Sequence, residues 1–206
     1  MVLRLAVLGD SIAAGQGASR REDTIAERLL RGLADVGIDA TAQVFAVPGA
    51  RSSGLRGQVD RALDWTPHIA VIVIGANDVT HRTPPEKAAR ALAETVRRVR
   101  TVGGQVVVAP APDLSAVPHV PPAMRPAVRA ASDRLRKRQI AAAVVEGARI
   151  ADGEASTSGA FSADLSLFSA DRFHPSSAGY ALIAQGLLPQ VIAAARAVAD
   201  QGPGTS

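Results

Sequence analysis

Apolar runs that read as strands alternate with stretches that read as amphipathic helices, which is the pattern of stacked βαβ units. Residues 3–8 are apolar except for Arg4 and stop at Gly9, predicting a first strand. Residues 24–36 carry apolar positions at helical spacing, and Gly37 is a fitting stop. A second strand is predicted over 41–47, ending at Pro48-Gly49, followed by a polar helix over 53–64. The run IAVIVI at 69–74 is the clearest strand, because a continuous β-branched run suits a central parallel strand covered on both faces. After Pro84-Pro85 an amphipathic helix reaches 102 and closes at Gly103-Gly104, and 105–109 reads as a fourth strand.

The second half is less regular. Residues 110–126 hold six prolines among apolar residues, so no regular structure is expected there. Helix resumes over 127–146, and 149–151 begins a short fifth strand. The stretch 153–170, rich in Ser, Ala and Gly, predicts an irregular loop. The last helix is expected to start at Pro175, a favoured first helical residue, and to reach 200. QGPGTS at 201–206 reads as a flexible tail. No repeat or compositional break divides the chain, so one α/β domain is expected over 1–200. Its predicted architecture is a three-layer α/β/α sandwich around a parallel sheet of about five strands, flavodoxin-like in kind.

Composition narrows the function. Hydrophobic residues at 47% and charged residues at 20% are ordinary for a globular chain that buries a core. The net charge of +4 raises the question of nucleic acid, yet only Lys87 and Lys137 are lysines and the arginines are interspersed with Glu and Asp. Aromatics at 3% are too few for base-stacking platforms, so no nucleic-acid partner is expected. The absence of cysteine excludes disulfides and thiolate metal sites. His68, His81 and His119 lack ligand-like spacing, so neither a metal nor another cofactor is expected. The first residues enter a strand with no export leader ahead of them, and no apolar run of about 18 residues suggests a membrane span. A cytoplasmic location is the expectation for the chain as it stands; removal of a leader beforehand would make it secreted. Nothing in the sequence sets the oligomeric state.

In open parallel sheets ligands bind beyond the carboxyl ends of the strands. The residues there are Gly9-Asp10-Ser11-Ile12 after the first strand, Pro48-Gly49-Ala50 after the second and Gly75-Ala76-Asn77-Asp78 after the third. Asp171-Arg172-Phe173-His174-Pro175 precedes the last helix. Each has an ordinary reading. Ser11 could cap a following helix, His174 could be a surface residue near a helix start, and Gly49 and Asn77-Asp78 could be plain turn chemistry. Together they are a hydroxyl, a glycine turn, a carboxamide and an Asp/His pair on one rim, the parts needed for nucleophilic acyl transfer.

The motifs GDSI at 9–12, Gly49, GAND at 75–78 and DRFHP at 171–175 resemble the blocks of the SGNH hydrolases, also called GDSL esterases/lipases, in that family's order. Ile12 stands where leucine is usual, an apolar exchange. The resemblance implies the SGNH hydrolase fold and an esterase acting on a small-molecule ester through an acyl-enzyme. Ser11 would be the nucleophile, His174 its base and Asp171 the partner of the histidine ring. The backbone N–H groups of Ser11 and Gly49 and the Asn77 amide would form the oxyanion hole. The roles make chemical sense: a hydroxyl is a weak nucleophile until a base takes its proton, and histidine titrates near working pH. Asp10 and Asp78, beside these positions, are expected to brace the loops, and Arg51 and His81 to lie near the substrate. The loop at 110–126 is expected to wall an apolar acyl pocket with Leu114, Val117, Val120 and Met124.

Other readings fare worse. Gly15-Gln16-Gly17 follows the first strand like a dinucleotide fingerprint, but Arg20 stands at its third glycine and Asp10 would oppose a pyrophosphate. There is no Walker A sequence and no G-x-S-x-G elbow. Two alternatives remain on the same fold: an acyltransferase with an alcohol acceptor, and a non-catalytic binding module.

Overall fold

In the computed structural model, which describes residues 1–152 and 154–200, the strands form one parallel sheet in the order β2-β1-β3-β4-β5. These are β1 (Leu3–Gly9), β2 (Ala40–Val44), β3 (Ile69–Val73), β4 (Gln105–Ala109) and β5 (Arg149–Ile150). The connecting helices are α1 (Ile25–Ala34), α2 (Leu55–Asp64), α3 (Ala76–Thr80), α4 (Pro85–Thr101), α5 (Arg125–Val145), α6 (Glu154–Ala163) and α7 (Ser177–Asp200).

Successive strand side chains point to opposite faces, and that period of two sorts the core into two layers. Leu5, Val7, Val71 and Val107 face α1 and α7, where they meet Ile25, Leu29, Leu33, Tyr180, Leu187 and Val191. Ala6, Leu8, Ile72 and Val108 face α2, α4 and α5, meeting Leu55, Val59, Leu92, Val96 and Ala143. β3 is buried at every position, as its unbroken apolar run requires. Sinking one such aliphatic side chain contributes about 1.5–3 kcal/mol, so the double-sided sheet dominates the stability. The fold is the three-layer α/β/α sandwich that the alternation of elements predicts.

Several details depart from the sequence reading. Residues 154–163 form α6 rather than an irregular loop. The stretch lacks an apolar period, and tertiary contact supplies what the pattern does not: Phe161 is buried edge-on against Phe168, with ring centroids 5.0 Å apart. Pro175 does not open the last helix. It forms an antiparallel bridge with Phe168, and α7 begins at Ser177, where the Ser176 hydroxyl accepts the N–H of Gly179 at 3.3 Å. The proline-rich segment contains single turns of 3-10 helix at Leu114–Ala116 and Pro122–Met124. α7 also differs from the expectation of no membrane-length stretch, since it is long and apolar enough by length and composition, with a mean hydropathy of 1.5. Its Tyr180, Leu187, Val191, Ala194 and Ala195 pack into the core beneath the sheet. The tail at 201–206 lies outside the described residues.

Register aligns the strand ends. Gly9 pairs with Val73, Val73 with Ala109, and Val108 with Ile150, so the segments that follow leave the sheet along one rim.

Candidate active site

Ser11 lies two residues past the end of β1, in a run of turns over 11–17 rather than at the start of a helix, so it caps nothing. The side chain that caps this turn is Asp10, whose carboxylate accepts the Ile12 N–H at 3.0 Å. Ser11 is buried to 7% exposure, and its Oγ stands 3.0 Å from Nε2 of His174, 163 positions away in the chain.

His174 is held by a tight turn closed at its base by the Phe168–Pro175 bridge. Asp171 organises that turn. Its Oδ1 accepts from the Ser169 hydroxyl at 2.7 Å and from the backbone N–H groups of Phe173 and His174 at 2.9 Å each. Its Oδ2 lies 2.6 Å from Nδ1 of His174. A carboxylate only accepts, so Nδ1 carries the proton, and the lone pair of Nε2 faces the Ser11 hydroxyl. Desolvation pushes the Asp171 carboxyl up, but the His174 ring and the other three donors outweigh it and hold the group well below the usual carboxylate range. The Phe173 ring stands edge-on to the imidazole, with centroids 5.0 Å apart, and the His119 ring lies 2.8 Å from the Asp171 carbonyl.

Gly49 and Asn77 come from the segments after β2 and β3. Gly49 has φ +78, a left-handed conformation that favours glycine, and a Cβ there would meet nothing within 4 Å. Among the described residues, the backbone N–H groups of Ser11 and Gly49 and the side-chain amide of Asn77 have no hydrogen-bond partner. Three donors without a protein partner thus stand on the segments that follow β1, β2 and β3.

A scaffold of buried polar side chains holds these segments. Gln58 of α2 clasps the end of β1, donating to the Gly9 carbonyl and accepting the Gly9 N–H at 2.8 Å each. Gln139 of α5 accepts the Ala111 N–H at 2.8 Å and donates to the Ile74 carbonyl at 3.3 Å, fixing the ends of β3 and β4. Asp78 accepts from the N–H and hydroxyl of Ser52 at 2.9 and 2.7 Å. Burial lifts the Asp10 carboxyl to about 6, with the N–H groups of Ile12 and Gly75 opposing the rise. The Gly15-Gln16-Gly17 turn packs on the histidine loop: the Tyr180 hydroxyl donates to the Gln16 carbonyl at 2.7 Å, and a Cβ on Gly17 would come within 2.9 Å of the His174 Cβ. Gln58, Gln139, Ser52, Ser169 and Tyr180 escaped the sequence reading. Each acts on a backbone or side-chain group remote in sequence or identified only by the turn's shape.

The other histidines serve locally. His68 accepts the Arg4 N–H on its Nδ1 at 2.9 Å, and His81 lies 2.9 Å from the Asn77 carbonyl at the end of α3. Among the described residues no group of three or more His, Asp or Glu side chains is placed to hold a metal ion. Arg51 is exposed on the loop after Gly49. An apolar cavity of about 140 Å³ lies beside the histidine loop, walled by Ile12, Leu114, Val117, Phe161, Phe173 and Leu187. Of the four residues expected from the proline-rich loop, Leu114 and Val117 line it. Val120 packs, partly buried, against the same apolar cluster as Leu114 and Val117 without lining the cavity, and Met124 is exposed.

Residues 7–182 match the GDSL-like lipase/acylhydrolase family. The GDSL-like esterase Rv1075c of Mycobacterium tuberculosis is 37% identical over 186 residues, covering 88% of this chain and 59% of that protein. The chain thus spans about three-fifths of the length of this relative. Among solved structures, TesA superposes with a TM-score of 0.77 at 22% identity, over 93% of this chain and 99% of that one. The psychrotrophic esterase EstA from Pseudoalteromonas sp., solved inhibited by monoethylphosphonate, gives 0.71 at 18% identity, over 91% and 96%. These likenesses show the SGNH hydrolase fold.

Proposed function

Since the chain belongs to the GDSL-like lipase/acylhydrolase family, we propose that it is a serine hydrolase that cleaves carboxylic esters of small molecules through an acyl-enzyme on Ser11. One observation carries the reading: the unbroken relay from Ser11 Oγ to His174 Nε2 at 3.0 Å and from His174 Nδ1 to Asp171 at 2.6 Å.

The chemistry follows from that relay. As Ser11 Oγ attacks the ester carbonyl, its proton passes to Nε2 of His174, and the strongly acidic Asp171 carboxylate stabilises the imidazolium. The carbonyl oxygen takes up negative charge, and in this reading the N–H groups of Ser11 and Gly49 and the Asn77 amide, which have no protein partner, donate to it. Collapse of the tetrahedral intermediate breaks the carbon–oxygen bond to the alcohol, which leaves with the proton from Nε2. Water then enters, gives a proton to Nε2 and attacks the acyl carbon. A second collapse releases the carboxylic acid and returns the proton to Ser11 Oγ. The apolar cavity beside Phe173 receives the acyl chain.

Turnover of a small activated ester by the wild type and Ser11→Ala tests the reading. The variant is expected to retain less than about a thousandth of the rate with its fold unchanged, since removal of a triad member costs several powers of ten. Retention of more than about a tenth overturns the assignment. Product analysis with an added alcohol separates hydrolysis from acyl transfer, and a wild type inert towards all esters marks a binding module.

A further inference from the structure

The three open donors stand on three separate segments: the turn after β1 for Ser11, the loop after β2 for Gly49 and α3 for Asn77. A hole for one oxygen works only if its donors keep their relative positions to within about 0.5 Å. Turns and loops do not guarantee that.

Two buried aspartates tie these segments together, and each is the chain neighbour of a donor. Asp10 precedes Ser11 and is 1% exposed. Its carboxylate accepts the Ile12 N–H at 3.0 Å within its own turn, and the Gly75 N–H acts on the same group from the β3 side. The Asp10 N–H also donates to the Val73 carbonyl at 3.2 Å. Asp78 follows Asn77 and is fully buried, and so is Ser52, three residues beyond Gly49. Both hydrogen bonds from Ser52, at 2.9 and 2.7 Å, end on the same Asp78 oxygen. The Ser11 turn is thus tied to the end of β3 through the Asp10 N–H on the Val73 carbonyl, and α3 is tied to the Gly49 loop through Asp78 and Ser52. Burying carboxylates is costly, and charge-assisted hydrogen bonds to backbone N–H groups are strong and directional.

We infer that Asp10 and Asp78 are positioning residues that lock the donors of Ser11, Asn77 and Gly49 into one unit. The inference rests on the proposed roles of those three donors. Asp78 acts through Asn77 and Gly49 on the charge that develops in the transition state, not on the substrate's resting contacts.

The test combines kinetics, a transition-state mimic and a double-mutant cycle, with thermal unfolding to establish that each variant is folded. Asp78→Asn is expected to lower kcat by about 10- to 100-fold with KM changed by less than about 3-fold. The affinity of an alkyl boronic acid, whose tetrahedral adduct places an oxygen in the hole, is expected to fall by a similar factor. The pH profile should keep its position, because the His174–Asp171 pair is untouched. In an Asn77→Ala background the same substitution is expected to cost much less, since part of what it positions is gone. Ser52→Ala removes only the 2.7 Å hydroxyl arm and should show the same kcat-selective pattern more weakly, which keeps the test open if Asp78→Asn does not fold. Additive effects in the cycle, or a loss shared equally between KM and kcat, overturn the inference while leaving the esterase reading intact. A wild type that neither turns over esters nor binds the boronate overturns both.

Discussion

Replacing Asp10 by asparagine isolates a cost that the fold carries at its active rim. The Asp10 carboxyl is raised from 3.8 to about 6 because burial disfavours its charged form; the N–H groups of Ile12 and Gly75 and the charge of His174 oppose the rise, and Asp78 adds to it. The folded state therefore binds this proton more tightly than the unfolded chain does. Where the folded protein holds the proton and the unfolded chain has lost it, stability falls as pH rises. The window opens near 3.8 and closes near 6, and at 1.36 kcal/mol per pH unit it spans about 3 kcal/mol. About 2 kcal/mol of that lies between pH 4.5 and 7. Asparagine has the same size and no proton to lose, so Asp10→Asn is expected to gain about 2 kcal/mol on the wild type over this interval, whatever the offset at pH 4.5. Denaturant unfolding of both proteins at half-unit pH steps measures the difference directly. Asp78 and His174 are present in both proteins and drop out apart from their coupling to Asp10. A difference that stays level from pH 4.5 to 7 refutes the buried-carboxyl argument.

Three further outcomes are expected. Asn77→Ala should lower kcat by about 10²- to 10³-fold with little change in stability, read by steady-state kinetics, because in the proposed mechanism the half-buried amide serves only the developing oxyanion; a fall of less than about 3-fold contradicts that role. Asp171→Asn should lower kcat by about 10³- to 10⁴-fold through loss of the correct imidazole tautomer, and a fall of less than about 10-fold argues against it. A cavity of about 140 Å³ is close to the size that admits a benzene ring, so kcat/KM should rise by about 4-fold per methylene from acetyl to about hexanoyl esters and then level off. Val117→Phe should move that plateau to shorter chains, and an unchanged profile shows that the acyl group lies elsewhere.

The sheet was legible because its signal is strong: five apolar runs, the third with no polar interruption, spaced by helical patterns and glycine stops. α6 was not legible, since EASTSGAFSA has no apolar stripe and its order depends on Phe161 meeting Phe168. Pro175 misled because a proline suits both a first helical turn and the end of a bridge, and only the pairing with Phe168 decides between them. The residues at the strand ends stood out through their order along the chain. Their supports did not. Nothing about Gln58 in a polar helix announces that it faces both backbone groups of Gly9, and Tyr180 reads as plain core until its hydroxyl meets the Gln16 carbonyl.

The central claim is that Ser11 forms a covalent bond to the acyl carbon, and an active-site-directed fluorophosphonate tests it most directly because it leaves a stable adduct on the attacking oxygen. Intact-mass measurement followed by peptide mapping is expected to show one adduct, on Ser11, absent from Ser11→Ala and formed far more slowly in His174→Ala. An adduct on another residue, or a Ser11→Ala protein that still labels and still hydrolyses esters, contradicts the account.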